Sequence, residues 1–337
     1  MDNKYVIGMA SDPGIKRKNQ PNEDAIGIVT FPSDGSRAPL LILSDGMGGY
    51  NGGEIASNLA VKAISEYWRH ADQKKPGYPQ NLNKCISAAQ ASIVKRAAGD
   101  PSLNQMGATI VIAALLDSCV QIANVGDSRA YWVSSTGEIS QISYDHSFVM
   151  DQVREGFLTR DEALHHPRRN ILSMSLTGQR EEIEPYFSMI RWRAGDHILL
   201  CSDGLWETVT ESQISDIVTS LDPQEAADKL IKMANMNQGP DNISVIIARN
   251  DCTGVQSSGP TNGAVSSQPV TGEDKLADQN ETIAEKDQNT RKIILLILFL
   301  LLFVSLLYFI LGLNQKFSLI SSLPADILFI QAGLIRV

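Results

Sequence analysis

Between Ile293 and Leu313 the chain reads IILLILFLLLFVSLLYFILGL, without a single charged residue. At about 1.5 Å of rise per residue, a helix over this run is roughly 30 Å long, the thickness of a bilayer core. A helix buried in a soluble core is the other reading, but cores rarely use helices apolar on every face. The expectation is one C-terminal transmembrane helix, at 291–315. Arg291 and Lys292 abut its N-terminal side, whereas Lys316 and Arg336 are the only basic residues after it. The positive-inside tendency then makes the chain a single-pass protein of the cell inner membrane with its N-terminal part cytoplasmic. The tail, 316–337, is apolar but broken by Pro324 and Asp326, and reads as a short exterior or interfacial segment. Residues 1–10 lack the basic start and long apolar run of a signal peptide.

Ahead of the apolar run, 251–290 is rich in Gly, Ser, Thr and Gln and then in charge, with no hydrophobic period. It reads as a flexible linker. Regular patterning is confined to 1–250, the expected folded domain. The formal net charge of -9 argues against a nucleic-acid partner, which needs a basic surface to neutralise phosphates. Cys85, Cys119, Cys201 and Cys252 form no CxxC pair and have no His at zinc-ligand spacing. They read as small buried residues of a reducing compartment.

Within 1–250 the strand signals are short apolar runs: Pro39 to Ser44, Thr109 to Leu115, Val120 to Val125, His197 to Cys201 and Ile243 to Ala248. The second and third predict a hairpin across Asp117-Ser118. Helical spacing predicts helices over Glu54 to His70, over Asn81 to Ala98, and over Pro223 to Met236, the last with proline at its first turn. Strands cluster and helices come in pairs, so the pattern predicts a layered α+β domain with antiparallel sheet rather than βαβ alternation.

Five short motifs carry carboxylates: Asn22-Glu23-Asp24, Ser44-Asp45-Gly46-Met47-Gly48-Gly49, Gly126-Asp127-Ser128-Arg129, Ser202-Asp203-Gly204-Leu205-Trp206, and Gly239-Pro240-Asp241-Asn242-Ile243-Ser244. Several of these aspartates directly end or begin an apolar strand, where a side chain can project into a cleft. Glycine after Asp45 and Asp203 lets a backbone carbonyl approach a ligand. Hard divalent cations take carboxylate and carbonyl oxygens, and gathered carboxylates repel one another unless a cation joins them. Taken singly, an Asp-Gly after a strand is more often a turn than a metal site, and the Asp-Asn before Ile243 can likewise be a plain turn. Ser128 and Ser202 lack the Gly-x-Ser-x-Gly elbow of a serine nucleophile, and no Gly-x4-Gly-Lys phosphate loop is present.

The motifs taken in order resemble the metal-dependent protein phosphatases of type 2C in their bacterial form, over residues 5–249. The resemblance extends to Gly14-x-x-Arg17, Gly107-Ala108-Thr109, Asn124-Val125, Asp145-His146-Ser147, His166-Pro167-Arg168-Arg169-Asn170 and Gly195-Asp196. It implies an α-β-β-α sandwich of two packed antiparallel sheets flanked by helix pairs. It also implies hydrolysis of phosphoserine and phosphothreonine by a metal-bridged hydroxide, without a phosphoenzyme. Asp45 would bridge two Mn²⁺ or Mg²⁺ ions, with the Gly46 carbonyl on one of them. Asp203 and Asp241 would hold the first ion, and Glu23 the second, largely through water, with Asp24 beside it. Asp127 would share a third ion with Asp203, and Arg17 would bind the substrate phosphate, which a guanidinium fork suits. A divalent metal would also reconcile an acidic chain with phosphoprotein substrates.

Two departures stand out. Four residues, Lys18 to Pro21, separate Arg17 from Asn22, where most bacterial relatives have two, so Lys16 or Lys18 could take the arginine's role. Met47 stands where eukaryotic relatives carry a histidine thought to protonate the leaving group, which leaves the general acid unnamed. His146 and His166 fall in a stretch resembling the flap beside the active site and read as packing residues. The expected partners are phosphoproteins, including a Ser/Thr kinase or its targets at the membrane, and the catalytic domain is expected to act as a monomer. The alternative is a membrane-anchored pseudophosphatase that binds phosphoproteins without turnover.

Overall fold

Leu40, Leu41, Ile42 and Leu43 are all fully buried, which requires cover on both faces of their strand. The computed structural model supplies that cover. It describes residues 4–31, 37–48, 52–71, 78–179 and 183–251, which belong to the first of two compact units, Met1–Ala264. Gly49, residues 252–290 of the expected linker, the apolar run 293–313 and residues 316–337 lie outside the described residues. Among the described residues no helix is long and apolar enough to cross a membrane.

The strands are β1 (Tyr5–Asp12), β2 (Asp24–Val29), β3 (Leu40–Met47), β4 (Gly107–Ala108), β5 (Ile110–Leu115), β6 (Cys119–Val125), β7 (Arg129–Val133), β8 (Ile139–Gln141), β9 (Leu176–Thr177), β10 (Tyr186–Arg191), β11 (His197–Cys201) and β12 (Ile243–Asn250). The helices are α1 (Gly52–His70), α2 (Tyr78–Ala98), α3 (Phe148–Arg154), α4 (Arg160–His165), α5 (Asp203–Trp206), α6 (Glu211–Ser220) and α7 (Pro223–Met236). One sheet runs β1-β12-β11-β7-β8. The other runs β10-β6-β5-β3-β4-β9, with β2 also on β3. Every ladder between these strands is antiparallel.

Alternation along the strands sorts their side chains into layers. On β3 and β5, Leu40, Ile42, Ile110, Ile112 and Ala114 face outward onto Ala60, Ile64 and Trp68 of α1 and Leu82, Ile86 and Ile93 of α2. On β11 and β12, Leu199, Cys201, Val245 and Ile247 face outward onto Ile217 of α6 and Ala227 and Leu230 of α7. The intervening residues, Leu41, Leu43, Val111 and Ala113 from one sheet and Ile198, Leu200, Ile246 and Ala248 from the other, fill the space between the sheets. The architecture is the expected helix-sheet-sheet-helix sandwich.

The hairpin of β5 and β6 pairs Leu115 with Val120, as predicted. Helix α7 has the predicted limits, and α1 and α2 start two and three residues before theirs. Helix α6, between Asp203 and Asp241, is set by a capping box: Thr210 Oγ1 accepts from Gln213 N at 3.3 Å, and Gln213 Oε1 accepts from Thr210 N at 3.0 Å.

Candidate active site

The layered topology brings the carboxylate motifs to one end of the two sheets. Asp24 opens β2 and pairs directly with Asp45 near the end of β3. Asp127 sits in the turn from β6 to β7, Asp203 begins α5 after β11, and Asp241 lies just before β12. Glu23, Asp45, Gly46, Asp127, Asp203 and Asp241 all line one open cleft of about 730 Å³, together with Arg17 and Met47. Asn170, Leu172 and Ser175 line it too, and they come from the stretch after α4. Asp24 does not reach the cleft lining; it is buried behind it.

Thr109 fixes the aspartate of β3. Its N–H donates to Asp45 O at 2.8 Å, and its hydroxyl accepts from Asp45 N at 3.0 Å. The same hydroxyl meets Ser128 Oγ at 2.7 Å, next to Asp127. Gly46 follows Asp45 because nothing larger fits: a Cβ there would sit 2.1 Å from Gly53 O and 2.7 Å from Glu23 O. The Gly46 N–H donates to Glu23 O at 3.1 Å, which seats Glu23 against β3. Trp206 Nε1 donates to Asp127 O at 3.1 Å.

The electrostatics of this end are strained. Asp45 and Asp203 are pushed well above the ordinary carboxylate range, first by burial, then by repulsion from the other aspartates. Burial also raises Asp24 and Asp127 to about 6. Asp203 Oδ1 and Asp24 Oδ1 are buried without a hydrogen-bond partner. Mutually repelling carboxylates with orphaned oxygens are the donor set that a hard divalent cation satisfies, so the residues fit the expected ions. Among the described residues, no three acidic, His or Cys side chains already close into a ligand cage. Two of the acids are engaged elsewhere: Arg17 Nη2 donates to Glu23 Oε2 at 2.5 Å, and Nη1 donates to Asp241 Oδ1.

The position of Arg17 distinguishes it from its neighbours. Its guanidinium lines the cleft, with Nε donating to Gln20 Oε1 at 3.2 Å. Lys16 Nζ instead donates to Gln238 Oε1 at 3.1 Å, and Lys18 is exposed. Burial disfavours the Arg17 charge, but Asp241 and Glu23 outweigh it and raise its pKa. His146 Nδ1 accepts from Gly126 N at 3.2 Å and His166 Nδ1 from Arg168 N at 3.1 Å. Both rings therefore accept from backbone N–H groups.

Several supporting residues carry no local sequence signal for their contacts. Ser202 Oγ donates to Asp24 Oδ2 at 2.7 Å and accepts from Ser244 N at 3.0 Å. Ser11 Oγ meets Ser244 Oγ at 2.7 Å, and Asn22 Nδ2 donates to Ser11 Oγ at 2.8 Å. Asn22, Ser202 and Ser244 lie within the motifs and Ser11 outside them, and only the packing of the sheet ends brings them together.

The chain is similar to known phosphatases. A family model described as protein phosphatase 2C matches residues 14–239. The chain is 36% identical over 240 residues to the serine/threonine protein phosphatase PstP of Mycobacterium tuberculosis, covering 71% of this chain but 43% of that protein. It is 36% identical over 235 residues to the serine/threonine phosphatase stp of Listeria monocytogenes, covering 69% of this chain and 91% of the relative. Among solved structures, the serine/threonine phosphatase Stp1 from Staphylococcus aureus superposes with a TM-score of 0.66 at 33% identity, covering 72% of this chain and 94% of that one. The catalytic domain of PstP in complex with two manganese ions gives 0.60 at 34%, covering 73% and 98%. The fold is that of a family of metal-dependent hydrolases that use Mn²⁺ or Mg²⁺. The chain belongs to the protein phosphatase 2C family.

Proposed function

We propose that this chain is a metal-dependent serine/threonine phosphoprotein phosphatase. The observation that carries the reading is the convergence of Asp45, Asp127, Asp203 and Asp241 on one cleft, where burial and mutual repulsion raise the carboxyls of Asp45 and Asp203. Asp45, the Gly46 carbonyl, Asp203 and Asp241 would hold the divalent ions, with Glu23 and Asp127 at the edges of the set. When bound, such ions supply Lewis-acid polarisation of the phosphoryl group and activation of water. Arg17 turns from Glu23 and Asp241 to the substrate phosphate, which its fork can grip at two oxygens. Thr109 holds Asp45 in place through its backbone. Met47 lines the cleft but has no proton to give, so the leaving alkoxide takes its proton from elsewhere.

The test is hydrolysis of p-nitrophenyl phosphate and of a phosphothreonine peptide by the full chain. Activity should require Mn²⁺ or Mg²⁺, disappear in chelator, and fall on the order of a thousandfold on Asp203→Asn, since a lost ligand forfeits several kcal/mol of charge stabilisation. Full activity in chelator sinks the reading, and phosphopeptide binding without turnover supports the pseudophosphatase instead.

The same proposal tethers the enzyme. The uncharged run from Ile293 to Leu313 would span the membrane once, with 251–290 as a linker that lets the domain reach phosphoproteins at the cytoplasmic face, a membrane kinase or its targets among them. Carbonate-resistant membrane association, and an exported reporter fused after Val337, are the expected results. A soluble chain, or a cytoplasmic reporter at that position, contradicts this topology.

A further inference from the structure

Asn242 is buried, 2% exposed, between Asp241 and β12. Its Oδ1 accepts from Glu23 N at 2.8 Å, and its Nδ2 donates to Pro13 O at 3.0 Å. The partners force this orientation of the amide, because a peptide N–H only donates and a peptide carbonyl only accepts. Its own N–H donates to Asp241 Oδ1 at 2.7 Å. On its other side its carbonyl packs against the turn that carries Asp203: a Cβ on Gly204 would lie 2.1 Å from Asn242 O.

One residue thus joins its own turn, which carries Asp241, to three segments that the chain brings from far apart. They are the entry to β2 at Glu23, the loop from Pro13 towards Arg17, and the first turn of α5. Glu23 is the clearest case. Its N–H is held by Asn242 beside one sheet, and its C=O by the Gly46 N–H on the other. Glu23 precedes β2, so no strand ladder fixes its peptide, and the two bonds from opposite sheets do so instead. An apolar residue at 242 would leave the Glu23 N–H and the Pro13 C=O without these partners.

We infer that Asn242 is a positioning residue for the metal site, which sets the separation of the Glu23 and Asp241 carboxylates and acts through them rather than on the substrate. The inference rests on the metal-phosphatase reading. Residues that orient metal ligands in this way typically change metal affinity by about 10–100-fold when replaced.

Mn²⁺ binding to the full chain, followed by calorimetry, tests it with wild type, Asn242→Ala, the milder Asn242→Ser, and Ser215→Ala. The last is a control that loses a 2.7 Å hydrogen bond from Ser215 to Gly137 O, away from the cleft. Wild type and Ser215→Ala should bind Mn²⁺ alike. Asn242→Ala should bind at least about tenfold more weakly, Asn242→Ser should fall between, and the Mn²⁺ concentration for half-maximal activity should shift by the same factors. Both alanine variants should lower the melting temperature in chelator, so that destabilisation alone is separated from the change in affinity. Unchanged Mn²⁺ affinity in folded Asn242→Ala overturns the positioning role. So does loss of the fold in both Asn242 variants while Ser215→Ala stays folded, which makes Asn242 a folding residue only. Absence of Mn²⁺ binding in wild type overturns the metal reading, and this inference with it.

Discussion

Ser202 donates its hydroxyl to Asp24 Oδ2 across 2.7 Å. Ser202 immediately precedes Asp203 and Asp24 follows Glu23, so this bond joins the ends of the two sheets directly behind the cleft. Burial lifts the Asp24 carboxyl to about 6, and the hydrogen bonds from Ser244 and Ser202 pull it partly back. At pH 7 the carboxylate is charged and the bond is charge-assisted. Ser202→Ala should then lower stability by about 2 kcal/mol in urea unfolding at pH 7, and by less at pH 5, where Asp24 is protonated. An equal loss at both pH values means the bond does not serve the charge of Asp24.

Asp45 has a folded-state pKa well above its unfolded value. Between those values the native chain binds the extra proton, so the stabilising contribution of this group is full at low pH and is lost as pH rises through the raised pKa. Asp45→Asn removes that titration. In chelator, the variant should therefore melt higher than wild type, by a margin that grows from pH 5 to pH 8. Comparing the two chains cancels the buried His146 and His197, whose lowered pKa values act in the opposite sense. Added Mn²⁺ should raise the melting temperature of wild type and leave Asp45→Asn nearly unmoved. A pH-independent margin contradicts the assignment of repulsion to this site.

The parts of this structure that were legible in sequence are those fixed by local pattern. Leu40 to Leu43 and Ile198 to Leu200 are buried on both faces, so their runs are unbroken and easily read. β1 is partly exposed along its length, and its Gly8 lies against the Pro223-Gln224 backbone of α7, so little apolar signal marks it. Edge strand β10 exposes Tyr186, Phe187 and Met189, which blurs its alternation. Asp45 and Asp203 were readable because Asp-Gly follows a strand. Thr109, Ser202, Ser244 and Asn242 were not readable as supports, because each acts on a residue at least 19 positions away. The choice of Arg17 over Lys16 and Lys18 likewise needed the loop's path, since all three share one turn.

Arg17 is braced by a residue in the stretch that lengthens its distance from Asn22. Gln20 accepts from its Nε, leaving the two terminal nitrogens to face the cleft. Arg17→Ala should lower kcat/KM for a phosphopeptide by about 10–100-fold, the scale of hydrogen bonds to a charged group. Arg17→Lys should recover only part, since an ammonium lacks the fork. Gln20→Ala should cost about two- to fivefold, the scale of one ordinary hydrogen bond. Lys16→Ala and Lys18→Ala should be indistinguishable from wild type. A larger effect from either lysine than from Arg17 reverses the assignment.

Largely buried Arg129 and buried Asp145 form a pair that ties the Asp127 turn to the start of the α3–α4 stretch. Arg129 Nε donates to both Asp145 oxygens at 3.0 and 3.2 Å, and Nη2 donates to Oδ2 at 2.6 Å. Gln141 Nε2 donates to Asp145 Oδ1 at 2.8 Å, and the guanidinium lies 3.7 Å from the Trp206 ring centroid. Burial opposes the Arg129 charge, but Asp145 more than compensates and its pKa rises. Asp145→Asn should therefore destabilise the chain by about 3 kcal/mol, because it leaves a largely buried cation with only Tyr131 Oη and a neutral amide oxygen as acceptors. The apolar pair Arg129→Met with Asp145→Leu should recover most of that loss, since it removes the desolvation problem along with the attraction. Activity should not recover with it. Trp206 would keep its donor to Asp127 O but lose the cation stacked on its face, and the turn carrying Asp127 would lose the guanidinium that anchors it to Asp145. Stability measured by urea unfolding and kcat/KM measured on the same protein separate the two roles. A double variant as unstable as Asp145→Asn denies the buried-charge account, and one that regains both stability and activity denies that the pair positions Asp127.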